Sequence, residues 1–430
     1  MTAVFRIALF LALIVGAPAA FSGQTPRLEV SPGTVLIDER FAITLDGLKP
    51  GADVTIRADG NGGQWQSSVT LRADDRGHGD VADPMRLVWS ATGERPPAGP
   101  SPSLAQSWRF TAEVDGRVVA TRTIVRRAVA EDVRVVPVRE RGLAGVAYYP
   151  AATGRRPAVI VLPGSQGGIP GPGSFAGGLA SRGYVSLALG YFNVEGLPPL
   201  LQNIPLEYFA TAVEWLKSQP AVDPERIGVL GTSRGGELAL LVGSTYPSLF
   251  RVVVANVPSD VVWPGLSNDD EVPAWTLKGK PVPGVPGNFT PADLALSGRE
   301  RFLKRMQDPA ALARAAIPVE RIGGPVLLFS GRDDQLWPSD VFAARVVERL
   351  KARNFTHPIE HYSYENAGHQ LARPFVPTSD VRQIRVHPVS KRPNMAGGTP
   401  EGQARANEDA WGKLLAFLGK HLASEPSSVK

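Results

Sequence analysis

A chain of 430 residues is longer than one ordinary hydrophobic core organises, so two domains are expected. It is 43% hydrophobic and 20% charged, a globular balance that excludes a disordered chain. The formal charge is +5, but the basic residues are scattered without interleaved aromatics, which argues against nucleic acid, and the lack of any cysteine excludes disulfides, thiolate metal sites and a cysteine nucleophile.

In chain order, residues 1–23 open with Arg6, continue through the apolar run Ile7 to Val15 and reach Ala17-Pro-Ala19. This is the pattern of a signal peptide, so an exported protein is expected, periplasmic or secreted. Residues 24–134 hold short alternating segments, among them Val35 to Thr44, Ala52 to Ala58, Trp65 to Leu71 and Trp108 to Val114. Strand signals at this spacing predict an antiparallel β-sandwich. The acids of Ala73 to Asp80 lack the alternate spacing of a calcium loop and read as a hairpin turn.

From residue 135 to 425 the pattern changes to buried strands alternating with helices. The strands are Ala158 to Leu162, Val185 to Leu189, Ile227 to Leu230, Val252 to Ala255 and Val326 to Phe329, with helical stretches at Leu206 to Lys217 and Gly236 to Ser244. Such alternation predicts a mainly parallel sheet with helices on both faces. The Gly- and Pro-rich insertion Pro264 to Pro291 offers a lid over that sheet. Its neighbourhood holds Trp263, Trp275 and Phe289, which line an acyl pocket or simply pack; packing is the preferred reading. The basic stretch Arg382 to Arg392 reads as a solvated loop, and a final amphipathic helix runs from Ala404 to Leu422.

Within Ile227-Gly-Val-Leu-Gly-Thr-Ser-Arg-Gly-Gly-Glu-Leu-Ala-Leu240, Ser233 stands between Gly231 and Gly235 at a strand-to-helix junction. Such an elbow turns so sharply that only small residues fit two positions either side of the serine. It lifts the hydroxyl above the carboxyl end of the sheet and aims the next amide, that of Arg234, at a developing oxyanion. The alternative is a hydroxyl that merely occupies a turn.

A nucleophilic serine needs a base, and the base needs an acid to orient it, in the chain order Ser, acid, His. Of the later histidines, His421 falls in the terminal helix and His361 in a strand, while His357 and His387 each precede a proline. His369, in Asn366-Ala-Gly-His-Gln370 after the strand Ile359 to Tyr364, is the expected base. The acid is expected on the loop after Val326 to Gly331, with Asp333 orienting the base and Asp334 holding the loop; alternatively both cap the helix beginning near Ser339. A second oxyanion donor is expected from Pro163-Gly-Ser-Gln-Gly-Gly168, through the amide of Ser165 or Gln166. That loop lacks the Gly-Lys-Ser/Thr ending of a phosphate cradle.

These residues resemble the acyl-CoA thioesterases and bile acid-CoA:amino acid N-acyltransferases. The stretches that carry the resemblance are Leu36-Ile-Asp-Glu39, Gly47-Leu-Lys-Pro-Gly51 and Met85-Arg-Leu-Val-Trp89, then Leu189-Gly-Tyr-Phe-Asn193, Pro205-Leu-Glu-Tyr-Phe209, Ile317-Pro-Val-Glu320, Gly331-Arg-Asp-Asp-Gln-Leu-Trp337 and Gly368-His369. The resemblance implies an immunoglobulin-like amino-terminal domain before an α/β-hydrolase domain, with the triad Ser233, Asp333 and His369. The amidating branch uses cysteine, so serine here implies hydrolysis.

The expected function is therefore a serine hydrolase that cleaves acyl thioesters through an acyl-enzyme. No metal or organic cofactor is expected, and the partner is a small-molecule acyl ester or thioester rather than nucleic acid. Two other readings remain: an exported carboxylesterase or peptidase of the same fold that does not use CoA, and a binding protein on a hydrolase frame. A first domain of about a hundred residues is too small for a peptidase propeller.

Overall fold

A computed structural model describes residues 25–93, 104–171, 175–266, 272–287, 290, 292–389 and 391–423. The residues read as a signal peptide, and Phe289, lie outside the described residues.

In the amino-terminal part, period-two alternation places Val54, Ile56 and Ala58 of the strand Asp53–Gly60 on one buried face. Strand Ala105–Val114 likewise buries Trp108, Phe110 and Ala112. These strands belong to a six-stranded sheet, and a three-stranded sheet built on Arg27–Ser31, Ala42–Asp46 and Gly79–Asp80 supplies Leu28, Val30, Ile43 and Leu45 to the same core. The segment Val35 to Thr44, expected as one strand, is two, Thr34–Leu36 and Ala42–Asp46. A turn interrupts it, with Glu39 N–H donating to Leu36 O at 3.0 Å and Leu36 N–H to the Glu39 carboxylate at 3.1 Å.

The second part is built on eight strands: β1 (Arg134–Val138), β2 (Ala144–Tyr149), β3 (Arg156–Leu162), β4 (Val185–Gly190), β5 (Val222–Thr232), β6 (Val252–Asn256), β7 (Val326–Gly331) and β8 (Ile359–Tyr364). Their order is β1-β2-β4-β3-β5-β6-β7-β8, antiparallel over the first three and parallel from β4 onward. The helices are α1 (Phe175–Ala180), α2 (Glu207–Lys217), α3 (Arg234–Thr245), α4 (Gly298–Arg305), α5 (Pro309–Ala315), α6 (Ser339–Ala352) and α7 (Pro400–Leu418). Along β3, Ile160 and Leu162 join one core with Phe209, Leu216 and Leu240, whereas Val159 and Val161 join a second with Leu179, Trp411 and Leu414. Both faces of the sheet are thus covered, which is why its strands read as continuous apolar runs. This is an α/β-hydrolase arrangement. Its active groups are expected at the carboxyl ends of the parallel strands.

Arg126 crosses between the two parts. Its guanidinium is buried and donates to Ile37 O at 2.7 Å and to Phe375 O at 2.9 Å. Asp38 pairs with Arg182 at 2.7 Å and accepts from Trp411 Nε1 at 2.9 Å; burial nevertheless raises its carboxyl above the ordinary value. The described part of the insertion forms a small sheet, Trp275–Leu277 and Lys280–Pro281 against Ile204–Pro205.

Candidate active site

β5 ends at Thr232 and α3 begins at Arg234, leaving Ser233 as the hinge with φ 61° and ψ −122°. A non-glycine residue in that region carries about 1–3 kcal/mol of backbone strain, held in place by its surroundings. The surroundings are tight. A Cβ on Gly231 would lie 1.8 Å from Gly235 O, and one on Gly235 would lie 2.3 Å from Pro163 O. Glycine at both positions is therefore a packing requirement of the elbow. Ser233 N–H donates to Asn256 O at 2.9 Å, while its hydroxyl is not used to cap α3.

His369 follows β8, as expected, and its Nδ1 lies 2.8 Å from a carboxylate oxygen. That carboxylate belongs to Asp334. The expected partner Asp333 is thus corrected. The loop after β7 sends the two side chains different ways: Asp334 is 0% exposed, and its other oxygen accepts from Leu336 N at 3.0 Å and Trp337 N at 3.3 Å. Asp333 instead accepts from Gln335 Nε2 at 2.7 Å and Gly398 N at 3.1 Å, and pairs with Arg382. The roles expected of the two aspartates are exchanged, and Asp333 is the one that holds the loop. Helix capping does not occupy them either, since α6 follows Pro338 without a side-chain cap.

In the neutral ring, donation from Nδ1 to Asp334 makes His369 Nε2 the acceptor. Nε2 is buried and has no hydrogen-bond partner among the described residues. The ring rests edge-on against Trp337, with centroids 5.8 Å apart.

A cavity of about 120 Å³ opens beside the elbow, lined by Ser165, Ser233, Trp263, Leu266, Phe302 and Trp337 among others. Trp263 therefore both lines the pocket and packs, its ring 4.7 Å from that of Phe302. Trp275 packs behind, edge-on to Phe209, and donates from Nε1 to Glu237 at 2.9 Å. Glu237 and Arg234 form a buried pair at 3.2 Å, and Arg234 donates to the carbonyls of Trp263 and Pro264. Burial pushes the Glu237 carboxyl up to about 7, against the opposing effects of Arg234 and Trp275. This network fastens the start of the insertion to the first turn of α3.

Of the expected oxyanion donors, Arg234 and Ser165 both line the pocket of Ser233. Gln166 lines a different cavity, between the two parts of the chain, with Thr232 and Arg126. His387, passed over in the sequence, also lines the Ser233 pocket. It lies in the stretch expected to be a solvated loop, which folds back as a hairpin, Arg385–Val386 pairing with Pro393–Asn394. Its Nε2 is 2.8 Å from Ser165 Oγ. His361 bonds Ser330 Oγ at 2.8 Å. Among the described residues there is no group of three or more His, Asp or Glu side chains arranged to hold a metal ion.

The BAAT/acyl-CoA thioester hydrolase C-terminal family model matches residues 204–424, and the corresponding N-terminal-region model matches residues 38–140. The chain belongs to the acyl-CoA thioester hydrolase/BAAT family. It is 30% identical to acyl-coenzyme A thioesterase 1 of Mus musculus over 434 residues, covering 93% of this chain and 97% of that protein. To the mitochondrial acyl-coenzyme A thioesterase 2 of Mus musculus it is 29% identical, covering 96% and 94%. Among solved structures, an acylaminoacyl peptidase of Pyrococcus horikoshii matches with a TM-score of 0.45 at 14% identity, covering 94% of this chain and 57% of that one. The family makes this chain a hydrolase. It also overturns the expectation of export: relatives that align with nearly the whole chain include mitochondrial thioesterases.

Proposed function

We propose that this hydrolase cleaves acyl-CoA thioesters, with Ser233 as nucleophile, His369 as base and Asp334 as the acid that orients the base. The observation that carries this reading is the buried, unpartnered Nε2 of a histidine whose Nδ1 is fixed by a fully buried carboxylate at 2.8 Å. A buried lone pair on a ring whose other nitrogen is fixed is what a general base requires, and Trp337, against which that ring rests, lines the cavity together with Ser233.

Ser233 Oγ attacks the thioester carbonyl as its proton passes to His369 Nε2. Asp334 stabilises the imidazolium through the Nδ1 hydrogen bond without itself taking a proton. The amide of Arg234, first residue of α3 and so without an intrahelical acceptor, and the amide of Ser165 receive the oxyanion. Collapse expels the thiolate, which takes the proton from His369 and leaves the acyl group on Ser233. A water deprotonated by His369 then frees the acid. Trp263, Leu266, Phe302 and Trp337 provide the apolar wall for the acyl chain. In this reading residues 24–134 form the immunoglobulin-like domain and 135–425 the catalytic domain.

The test compares one acyl group offered as its CoA thioester and as a simple oxygen ester, using wild type and Ser233→Ala. Wild type favours the thioester and Ser233→Ala loses turnover by at least about 10⁴-fold, as removal of a triad nucleophile does. Substantial turnover by the variant removes Ser233 from the mechanism, and preference for the oxygen ester removes CoA.

A further inference from the structure

Ser165 stands three residues beyond the end of β3, half-buried, on the loop that faces the elbow. Loop and elbow are in close packing: a Cβ on Gly164 would lie 3.2 Å from the Ser233 Cβ. Ser165 and Ser233 line one cavity. The Ser165 hydroxyl lies 2.8 Å from His387 Nε2, and which atom donates decides what the hydroxyl does.

The other ring nitrogen decides it. Val389 N–H donates to His387 Nδ1 at 3.2 Å, so Nδ1 carries no proton and the neutral ring carries its hydrogen on Nε2. Nε2–H therefore donates to Ser165 Oγ, and the hydroxyl hydrogen of Ser165 is left to donate elsewhere. Burial, reinforced by the charges of Lys391 and Arg392, holds the imidazole down to about 4 and keeps this donor pattern at neutral pH. The hairpin fixes the ring, with His387 N–H donating to Arg392 O at 2.8 Å.

We propose that Ser165 is a further catalytic residue, whose hydroxyl donates to the substrate carbonyl oxygen and its oxyanion, and that His387 is the positioning residue that turns that hydroxyl toward the pocket. The oxyanion then receives a side-chain donor besides the amides. A hydroxyl already polarised by an N–H donor is a stronger acid in the hydrogen bond it makes. The inference rests on Ser233 being the nucleophile.

The experiment uses the full chain, Ser165→Ala and His387→Ala, and two inhibitors: an acyl trifluoromethyl ketone, which forms an oxyanion on Ser233, and an S-alkyl-CoA thioether, in which a methylene replaces the thioester carbonyl. Ser165→Ala is expected to lower kcat by about a hundredfold, the scale of one lost oxyanion donor, with KM little changed. Ketone affinity falls in parallel while thioether affinity holds, a split that a merely structural role does not produce. His387→Ala shows the same split, and the double variant is no worse than Ser165→Ala, because the pair acts as a unit. Ser165→Thr, which keeps the hydroxyl, recovers part of kcat. Equal loss of both affinities, or an unchanged kcat in Ser165→Ala, overturns the proposal. Failure of the Ser233 reading looks different: wild type itself then gains no affinity for the ketone over the thioether.

Discussion

Replacing Asp334 by Asn tests the site more sharply than deleting the base does, because the structure fixes how the new side chain must sit. One Asp334 oxygen accepts from the amides of Leu336 and Trp337, at 3.0 and 3.3 Å, and the other faces His369 Nδ1 at 2.8 Å. An Asn there keeps its carbonyl on the two amides and turns its NH2 toward Nδ1. Nδ1 must then accept, which puts the proton on Nε2 and removes the base. The loss expected is about 10⁴-fold in kcat, or about 5 kcal/mol of transition-state stabilisation, with KM nearly unchanged. Asp333→Asn is the control. Its side chain is partly exposed, and its bonds go to Gln335, Gly398 and Arg382 rather than to a histidine. It should alter kcat no more than about twofold, the scale of a surface change. Steady-state kinetics on one CoA thioester, with circular dichroism to confirm folding, decides. A larger loss in Asp333→Asn than in Asp334→Asn refutes the reasoning.

Gly235→Ala places a methyl 2.3 Å from Pro163 O and 2.7 Å from Leu162 O, both backbone atoms, so the oxyanion loop must move. Expected are a destabilisation of about 1–3 kcal/mol in urea unfolding and a fall in kcat; an unchanged kcat contradicts the close packing of loop and elbow. Gly412→Ala in α7 meets nothing within 4 Å and should instead stabilise by about 0.5–1 kcal/mol. Glu237 has a raised value in the fold, about 7 against an ordinary 4.5, so the folded state holds its proton where the unfolded state releases it. Its contribution is complete below 4.5 and is lost as pH rises through about 7. Relative to wild type, Glu237→Gln should therefore gain stability as pH rises across that window, measured by urea midpoints; a difference that is flat or falls with pH contradicts the burial argument.

The elbow was legible because its constraint is local: glycine two positions either side of a serine, between an apolar strand and a helix. The parallel strands were legible because both faces are buried, and Ile359–Tyr364 has the expected bounds. β1 and β2 were not singled out; β1 is an edge strand and contains Pro137, and both belong to the antiparallel end of the sheet. The choice between two adjacent aspartates was beyond sequence, because it depends on Arg382 and Gly398, far along the chain, drawing Asp333 away. His387 was hidden for a similar reason. A histidine before a proline in a basic stretch looks solvated, and only the pairing of Arg385–Val386 with Pro393–Asn394 brings it to Ser165. The available signal was the set of apolar residues around it, Ile384, Val386 and Val389, in a stretch read as solvated.

The central claim is an acyl group carried on Ser233. Wild-type protein mixed with an acyl-CoA, quenched in acid within the first turnovers and digested for mass spectrometry, should yield the Ser233 peptide heavier by the acyl group. The same peptide from Asp334→Asn should carry none on that timescale. An acyl adduct on any other residue, or turnover of acyl-CoA with Ser233 never modified, contradicts the account.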